Sequence, residues 1–208
     1  MAIPTRVGAI VLAAGASTRF RAGGGSDATK LVAKLNGKPI VRRVAEAALG
    51  AKARPVVVVT GYARDSVEGA LADLDVELAF NPNFASGLAS SLSVGLSAMP
   101  LEVAGALVLL GDMPQIEARL IDALIETFLA RKDALAAVPL SEGRRGNPVL
   151  LGRGLFDRAM RLKGDEGARR LIGALSAHEL AELEAPDAGV TLDIDTPDDL
   201  TAAQRFRS

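Results

Sequence analysis

The chain has 208 residues, of which 49% are hydrophobic and 24% charged, and its formal net charge at pH 7 is −1. This composition excludes a disordered protein, and the near-zero charge gives no general attraction to nucleic acid or to an anionic membrane surface. Because there is no cysteine and only one histidine, His178, disulfides, thiolate nucleophiles, sulfur-ligated zinc and multi-histidine metal centres are excluded. A Ser-His-Asp triad is disfavoured too, and we expect His178 at the surface or at a helix end.

The first predicted element is a buried strand over residues 7–13 rather than a signal peptide. Gly8 interrupts the apolar run, only Arg6 precedes it as a charge, and β-branched residues dominate it. No other apolar run approaches the roughly 20 residues that a membrane span needs, and an aromatic content of 3% offers no stacking platform for single-stranded nucleic acid. We therefore expect a cytoplasmic protein that binds neither membrane nor nucleic acid.

Strand patterns then alternate with helical patterns as far as residue 140. Further strands are predicted over 54–61, 76–80, 105–111 and 135–140, and helices over 39–51, 64–74, 88–99 and 119–132. The runs at 7–13, 54–61 and 105–111 are almost continuously apolar, which is typical of parallel strands covered on both faces. The alternation predicts a doubly wound α/β fold with a mostly parallel sheet.

The rhythm changes after residue 140. A strand over 147–152, two short helices over 155–162 and 166–177, and an edge strand over 179–185 are predicted. Thr196 as N-cap and Pro197 at the first helical position mark the start of a last helix. Because no long linker or repeat divides the chain, residues 1–208 are predicted to form one domain.

The stretch "VLAAGASTRFRAGGGSDATK" (11–30) turns from a strand into small residues and then places two cations, Arg19 and Lys30. It matches neither the Walker A pattern nor the dinucleotide fingerprint. However, small residues at the carboxyl end of a strand let a ligand approach the backbone, and the cations can neutralise a polyphosphate. The alternative interpretation is a flexible glycine loop without a ligand.

Two further stretches place carboxylates after predicted strands. Asp112 in "LVLLGDMP" (107–114) is suited to bind magnesium, or else serves a turn or a helix N-cap. In "LDIDTPDD" (192–199), Asp193 and Asp195 alternate, so their side chains share a face in an extended segment, and one of them could supply a second carboxylate to the same metal. The neighbouring Asp198 and Asp199 favour the positive end of the helix that follows.

A fourth stretch, "NPNFASGLASSLSVG" (81–95), places short polar side chains and glycine after the strand at 76–80. Such groups are suited to reading a base edge or a ribose. The alternative is an ordinary loop before a helix of small residues.

Together these motifs resemble the molybdenum-cofactor nucleotidyltransferases, and the cytidylyltransferase branch more than the guanylyltransferase branch. The resemblance rests on "LAAGASTRF…K", "NPNFASGLASSL", "GDMP", "RRGNPVLL", "KGDEGARRLI" and "DIDTPDD", in this order, from Val7 to about Leu200. It implies a three-layer Rossmann-like nucleotidyltransferase fold and a magnesium-dependent transfer of CMP from CTP to molybdopterin or molybdenum cofactor, with release of pyrophosphate. It also implies a molybdenum hydroxylase or its maturation factor as a partner.

The resemblance assigns roles by motif position. Residues 1–140 would form a nucleotide-binding half and 141–208 an acceptor-side half. Arg19 and Lys30 would hold the triphosphate, and Asp112 and Asp195 would position Mg²⁺. The nucleotide would contact Leu12, Ala13, Ala14, Gly15, Asn81, Ser86, Gly87, Ser90 and Gly111, and the phosphorylated pterin would contact Asn147, Pro148 and Asp165.

Two features depart from the family pattern. The link from Arg19 to Lys30 is longer and richer in glycine than usual, so that Arg21 competes with Lys30 for its role. Asn147 stands where many relatives have histidine, which leaves the acceptor open. The alternatives are another phosphorylated acceptor (a sugar, an alditol or phospholactate), GTP in place of CTP, or a non-catalytic accessory protein of a molybdenum hydroxylase.

Overall fold

The computed structural model describes residues 5–25, 27–185 and 193–205, so Leu192, which opens the last motif, lies outside the described residues. An eight-stranded sheet runs in the order β10-β7-β9-β6-β1-β4-β5, with β8 paired to β7, and β2 and β3 form a separate hairpin. The strands are β1 Val7–Ala13, β2 Lys34–Leu35, β3 Lys38–Pro39, β4 Val56–Thr60, β5 Glu77–Phe80, β6 Gly105–Leu110, β7 Ala136–Ser141, β8 Arg144–Arg145, β9 Val149–Gly152 and β10 Leu180–Glu184.

The sheet is mostly parallel, as predicted. Strands β6, β1, β4 and β5 run parallel to one another, and β10 runs parallel to β7. Strand β9 is antiparallel to both β6 and β7. Its first residue, Val149, therefore lies beside Val108 near the carboxyl end of β6. This reversal brings the segment before β9 to the same edge of the sheet as the ends of β1 and β6.

Helices cover both faces of the sheet and confirm the predicted three layers. The helices are α1 Thr18–Ala22, α2 Ile40–Gly50, α3 Arg64–Gly69, α4 Leu88–Ser97, α5 Ala118–Ala130, α6 Phe156–Ala159, α7 Ala168–Gly173 and α8 Pro197–Arg205. Helices α2, α3 and α5 pack on one face, and α4, α6 and α7 pack on the other. All seven residues of β1 and all five of β4 are buried, as their continuous apolar runs predict.

Several helices and strands are shorter in the structure than predicted, and the structure also contains elements that were not predicted. Helix α3 ends at Gly69 rather than at residue 74, because glycine is a poor helix former and the chain turns there to bury Leu71. The hairpin β2–β3 turns at Asn36 and Gly37, whose φ angles of 52° and 79° suit the Asn-Gly type of two-residue turn. That dipeptide was a usable signal in the sequence. Among the described residues, no helix is long and apolar enough to cross a membrane.

Candidate functional site

A cavity of about 600 Å³ opens at the carboxyl edge of the sheet, beside β1 and β6. The chain leaves β1 towards β4 on one side, whereas it leaves β6 towards β7 on the other. Ligands of open α/β sheets bind where the strand order diverges in this way, because the connecting loops separate there and leave a crevice. The main cavity therefore lies where the fold itself favours a ligand.

One cation and two carboxylates meet in the main cavity. The Lys30 ammonium lies 2.7 Å from Asp112 Oδ2 and 2.7 Å from Asp195 Oδ1. The two carboxylate oxygens thus lie within twice that distance of each other, although more than eighty positions separate the residues along the chain. Arg19 pairs with the second oxygen of Asp195. The structure thus brings together the two cations assigned to the triphosphate and the two carboxylates assigned to the metal.

Burial and charge act in opposite directions on Lys30. Its side chain is only 12% exposed, and burial disfavours the charged form, but the carboxylates of Asp112 and Asp195 outweigh that effect and raise the pKa of Lys30 above its usual value. The ammonium therefore remains protonated at neutral pH. It provides a fixed positive charge on the wall of the cavity, suited to a polyanionic ligand.

The remaining oxygen of Asp112 is an unusual group. Asp112 Oδ1 is buried and receives no hydrogen bond from the described part of the chain. A buried carboxylate oxygen without a donor is costly, and a hard divalent cation satisfies it. Among the described residues no group of three or more His, Cys, Asp or Glu could hold a metal. The pair Asp112 and Asp195 still fits Mg²⁺, which takes one or two carboxylates plus phosphate oxygens and water.

The segment that carries Asp195 is fixed by backbone contacts. The N–H of Ile194 donates to the carbonyl of Asp112 at 3.0 Å, and the Ile194 side chain is buried against Phe20. The carboxylate of Asp199 then accepts hydrogen bonds from the backbone N–H groups of Asp195 and Thr196 at the start of α8. Asp195 is consequently held beside Asp112 by its neighbours and not only by its ion pairs.

The alternation of Asp193 and Asp195 has the predicted effect. The intervening Ile194 is 3% exposed and belongs to a hydrophobic cluster, whereas Asp193 and Asp195 both line the main cavity. Of these two aspartates, Asp195 is the one that forms an ion pair with Lys30 among the described residues. Asp193 also lines a second cavity, so the two carboxylates face different parts of the site.

Arg21 does not take the place of Lys30. Its guanidinium lies 4.7 Å from the centre of the Tyr62 ring, and its Nε donates to the carbonyl of Ala16 at 3.1 Å. Tyr62 in turn contacts Phe84 edge to face, and Phe84 lines the main cavity. Arg21 thus holds the loop after β1 against an aromatic pair, whereas Lys30 faces the carboxylates.

The loop after β1 lines the main cavity with small residues. Leu12, Ala14 and Gly15 are among the lining residues, whereas Ala13 and Gly111 are buried beside it. The N–H of Gly111 donates to the carbonyl of Leu12 at 2.9 Å, so these two residues hold the ends of β1 and β6 together. Small side chains here leave the backbone open to a ligand.

Of the four residues assigned to the nucleotide in the stretch after β5, only Gly87 lines the main cavity. Asn81, Ser86 and Ser90 do not line it, and their polar groups bond to the loop itself. The residues of this stretch that line the cavity beside Gly87 were not singled out in the sequence: Phe84, Ala85, Leu88 and Ser91. No residue type in the sequence distinguishes Ser90 from Ser91, because the choice depends on where helix α4 begins.

A second cavity of about 370 Å³ adjoins the main one on the side of β9. Asn147, Asp165 and Arg169 supply polar groups to it, and Asp165 lines both cavities. Pro148 is buried and lines neither cavity, unlike Asn147. The apolar part of the lining consists of Leu12, Leu88, Leu92, Val108, Leu110, Met113 and Val149. An apolar lining with a few polar groups is typical of a small-molecule site.

Two glycines, Gly87 and Gly164, form a close backbone contact between segments that line the two cavities. Gly87 has a φ of 103°, and a Cβ at this position would lie 2.3 Å from the carbonyl carbon of Gly164. The N–H of Ala89 donates to the carbonyl of Gly164 at 3.0 Å. The loop that carries Asp165 therefore rests directly on the start of α4.

We expect Gly87→Ala to displace this loop and to destabilise the fold by about 1–3 kcal/mol, because both the φ angle and the contact with Gly164 oppose a side chain. Gly69→Ala is the matched control, since nothing lies within 4 Å of that Cβ and its φ is not in the left-handed region. The melting temperature should fall clearly for Gly87→Ala and stay level or rise for Gly69→Ala. Equal melting temperatures of the two variants would contradict the close contact between Gly87 and Gly164.

The chain is similar to known proteins of one family. The model of the MobA-like NTP transferase domain family matches residues 9–180. The molybdenum cofactor cytidylyltransferase of Escherichia coli strain K12 is 29% identical over 153 residues, which cover 73% of this chain and 75% of that protein.

Solved structures extend the similarity over the whole chain. A homologue of Mycobacterium tuberculosis Rv0371c from Mycobacterium sp. strain JC1 aligns with a TM-score of 0.81 and 28% identity, covering 98% of this chain and 99% of that one. Rv0371c itself, in a complex with manganese, aligns with a TM-score of 0.80 and 24% identity over 96% and 98% of the two chains. The family match, which spans most of the sequence, together with these alignments confirms the resemblance and the fold: the chain belongs to the MobA-like NTP transferase family of nucleotidyltransferases.

Proposed function

We propose that the protein transfers a CMP group from CTP to a phosphorylated pterin, molybdopterin or its molybdenum-loaded form, and releases pyrophosphate in a Mg²⁺-dependent reaction. The observation that carries this proposal is the meeting of Lys30, Asp112 and Asp195 beside the small-residue loop after β1. The similarity to a molybdenum cofactor cytidylyltransferase supports the choice of nucleotide and acceptor.

The order of strands at the carboxyl edge suggests how the two substrates are arranged. The carboxylate pair lies at β1 and β6, the loop after β5 lies to one side, and Asn147 before β9 lies to the other. A nucleotide in the main cavity would place its phosphates at the carboxylate pair, and an acceptor in the second cavity would approach from the opposite side. Residues 1–140 would then bind the nucleotide, and residues 141–208 would serve mainly the acceptor.

In the reaction, a phosphate oxygen of the acceptor attacks the α-phosphorus of CTP, a new P–O bond forms, and the bond from that phosphorus to the bridging oxygen of pyrophosphate breaks. The acceptor phosphate is already an anion at neutral pH, so the chain needs no strong general base and no nucleophile of its own. Its task is to position the two substrates and to stabilise charge.

Each charged residue has a definite part in this task. Lys30 and Arg19 turn from the carboxylates to the triphosphate and stabilise the charge that develops on the leaving pyrophosphate. Asp112 and Asp195 would hold Mg²⁺, and Asp112 Oδ1, which has no hydrogen-bond donor in the described part of the chain, would be one of its ligands. When bound, the metal lowers the repulsion between the incoming phosphate and the triphosphate.

The reaction predicts pyrophosphate release that depends on three components. We expect turnover with CTP, Mg²⁺ and molybdopterin, and a much lower rate when any one of them is omitted. Labelled CTP with pyrophosphate detection measures it, and GTP, a sugar phosphate, an alditol phosphate and phospholactate are the comparison substrates. A preference for GTP would reject the cytosine assignment, and a preference for another acceptor would reject the pterin. Nucleotide binding without any turnover would instead favour an accessory protein of a molybdenum hydroxylase.

A further inference from the structure

Asn81 lies directly after β5 and is only 1% exposed. Its side-chain amide makes three hydrogen bonds, all of them within the loop after β5 and the start of α4. Its Oδ1 accepts from the backbone N–H of Asn83 at 2.9 Å, and its Nδ2 donates to Ser90 Oγ at 2.9 Å and to Ser91 Oγ at 3.0 Å. Because a backbone N–H can only donate, the contact with Asn83 fixes which end of the amide faces the two serines.

The two serines receive the same bond from Asn81 but differ in what they can give. Each hydroxyl oxygen accepts from the amide and so keeps its hydrogen for another partner. Ser90 has the carbonyl of Gly87 at 2.8 Å for that purpose. Ser91 is 5% exposed and lines the main cavity, and the described residues offer no recorded acceptor for its hydrogen. Ser91 thus presents to the cavity an O–H group whose oxygen is already bonded to Asn81 and whose hydrogen has no partner among the described residues.

We propose that Ser91 donates a hydrogen bond to the nucleoside part of the bound nucleotide and that Asn81 is the positioning residue that makes this hydroxyl a donor. The inference rests on the proposed function, which places a nucleotide in the main cavity. A serine hydroxyl has one hydrogen and two lone pairs, and the bond from Asn81 already satisfies the oxygen with one partner. The hydrogen is the part of Ser91 that has no partner among the described residues, so an acceptor on the nucleotide is the group that completes its bonding.

This requirement selects certain atoms of the nucleotide. The carbonyl oxygen and the unprotonated ring nitrogen of cytosine accept hydrogen bonds, whereas its amino group donates and would leave the Ser91 hydrogen without a partner. Ribose hydroxyls are the other acceptors of the nucleoside. The location favours the nucleoside over the phosphates, because Ser91 lies on helix α4, which follows β5, and the carboxylate pair lies at β1 and β6.

The test compares nucleotide binding by isothermal calorimetry in Ser91→Ala and Ser90→Ala, which remove neighbouring hydroxyls of opposite orientation. We expect Ser91→Ala to weaken CTP binding about 3- to 10-fold, which is the usual range for one lost hydrogen bond. Ser90→Ala should stay within about twofold of the wild type, since its hydroxyl serves the backbone. Equal effects of the two variants, or no effect of Ser91→Ala, would overturn the proposal.

Kinetics separate recognition from a merely structural role. Ser91→Ala should raise the KM for CTP and leave kcat and the KM for the acceptor unchanged, and Ser91→Thr should restore most of the affinity because it restores the hydroxyl. Binding of 2′-deoxy-CTP and UTP by the wild type and Ser91→Ala then identifies the nucleotide atom that accepts the hydrogen bond from Ser91. If Ser91→Ala no longer weakens binding with 2′-deoxy-CTP, that atom is the ribose 2′ oxygen, and if it no longer weakens binding with UTP, that atom is the cytosine ring nitrogen. If the variant weakens the binding of both analogues, the atom is the base carbonyl oxygen.

Asn81→Asp tests the positioning role with almost no change of shape. A carboxylate cannot donate, so both serine hydroxyls turn towards it, and the variant should lose as much CTP affinity as Ser91→Ala. The double variant Asn81→Asp/Ser91→Ala should lose no more than either single variant, because the residues act through one hydrogen bond. Losses that add would refute the coupling, and Ser91→Ala alone still decides the donor role if the Asn81 variant melts early.

A panel of four nucleoside triphosphates keeps this inference apart from the proposed function. A wild-type chain that prefers GTP rejects the CTP assignment, and the Ser91→Ala effect measured with GTP still supports or overturns the donor. A wild-type chain that binds none of the four overturns both.

Discussion

Replacing Asp112 by asparagine is expected to lower kcat by about 10²-fold or more, because a group that holds the metal contributes several kcal/mol to catalysis. The fold should tolerate this change. Asparagine keeps an oxygen that can accept from Lys30, and Lys30 keeps its second partner, Asp195, at 2.7 Å. Melting should shift by less than about 3 °C, the equivalent of about 1 kcal/mol in a chain of this size.

The assay is pyrophosphate release with CTP, Mg²⁺ and acceptor, run beside a thermal melt. Asp198→Asn is the matched control, since Asp198 is an exposed acid in the first turn of α8 and makes no contact with Lys30. Near-normal turnover of Asp112→Asn would reject the metal assignment. A large loss of melting temperature in the same variant would show that Asp112 serves the fold instead.

Replacing Lys30 by methionine is expected to produce two opposite effects. Turnover should fall about 10²- to 10³-fold, the usual loss when one group that stabilises transition-state charge is removed. Metal affinity in the absence of nucleotide should rise on the order of tenfold, because the Lys30 ammonium no longer neutralises Asp112 and Asp195 or repels the metal cation. The size of the increase follows from the repulsion between two cations near a protein surface, which amounts to a few kcal/mol at most. The second effect distinguishes Lys30 from an ordinary structural lysine.

Paramagnetic resonance of Mn²⁺ measures the free metal directly and requires no turnover. Lys34→Met is the control, because Lys34 is exposed on the β2–β3 hairpin and forms no ion pair with any residue that the structure describes. If Lys30→Met binds Mn²⁺ no better than the wild type, the ammonium does not compete with a cation at the carboxylates. If it keeps normal turnover, Lys30 has no part in binding the triphosphate.

The closeness of Asp112 to the loop after β1 was predictable from the sequence, because the carboxyl ends of parallel strands share one edge of a sheet. Lys30, far along that loop, and Asp195, just before α8, follow from no such rule, and only the resemblance of their motifs assigned them to this site. The alternation of Asp193 and Asp195 about a buried Ile194 follows from the two-residue period of extended chain. The parallel order of the apolar strands was equally accessible.

The details of the loop after β5 were not accessible in the same way. Ser90 and Ser91 are identical in type, and the start of helix α4 at Leu88 decides which of them faces the cavity. The Arg21 side chain is a comparable case, because its stacking on Tyr62 depends on the packing of two loops that are distant in the sequence. Short-range patterns determine which residues form a strand or a helix, but not the direction of each polar side chain.

The reversed strand β9 has a consequence for how this fold diversifies. Strand β9 pairs antiparallel with β6 through Val149–Gly152. Because of this direction, Asn147 before the strand lines the second cavity, and the chain that follows the strand leads to Asp165 in the same cavity. One contiguous stretch, 144–169, thereby supplies most of the polar groups of the second cavity. If the second cavity takes the acceptor, as proposed above, exchanging residues 144–169 between relatives should change which acceptor is used without changing the residues proposed to bind the nucleoside triphosphate.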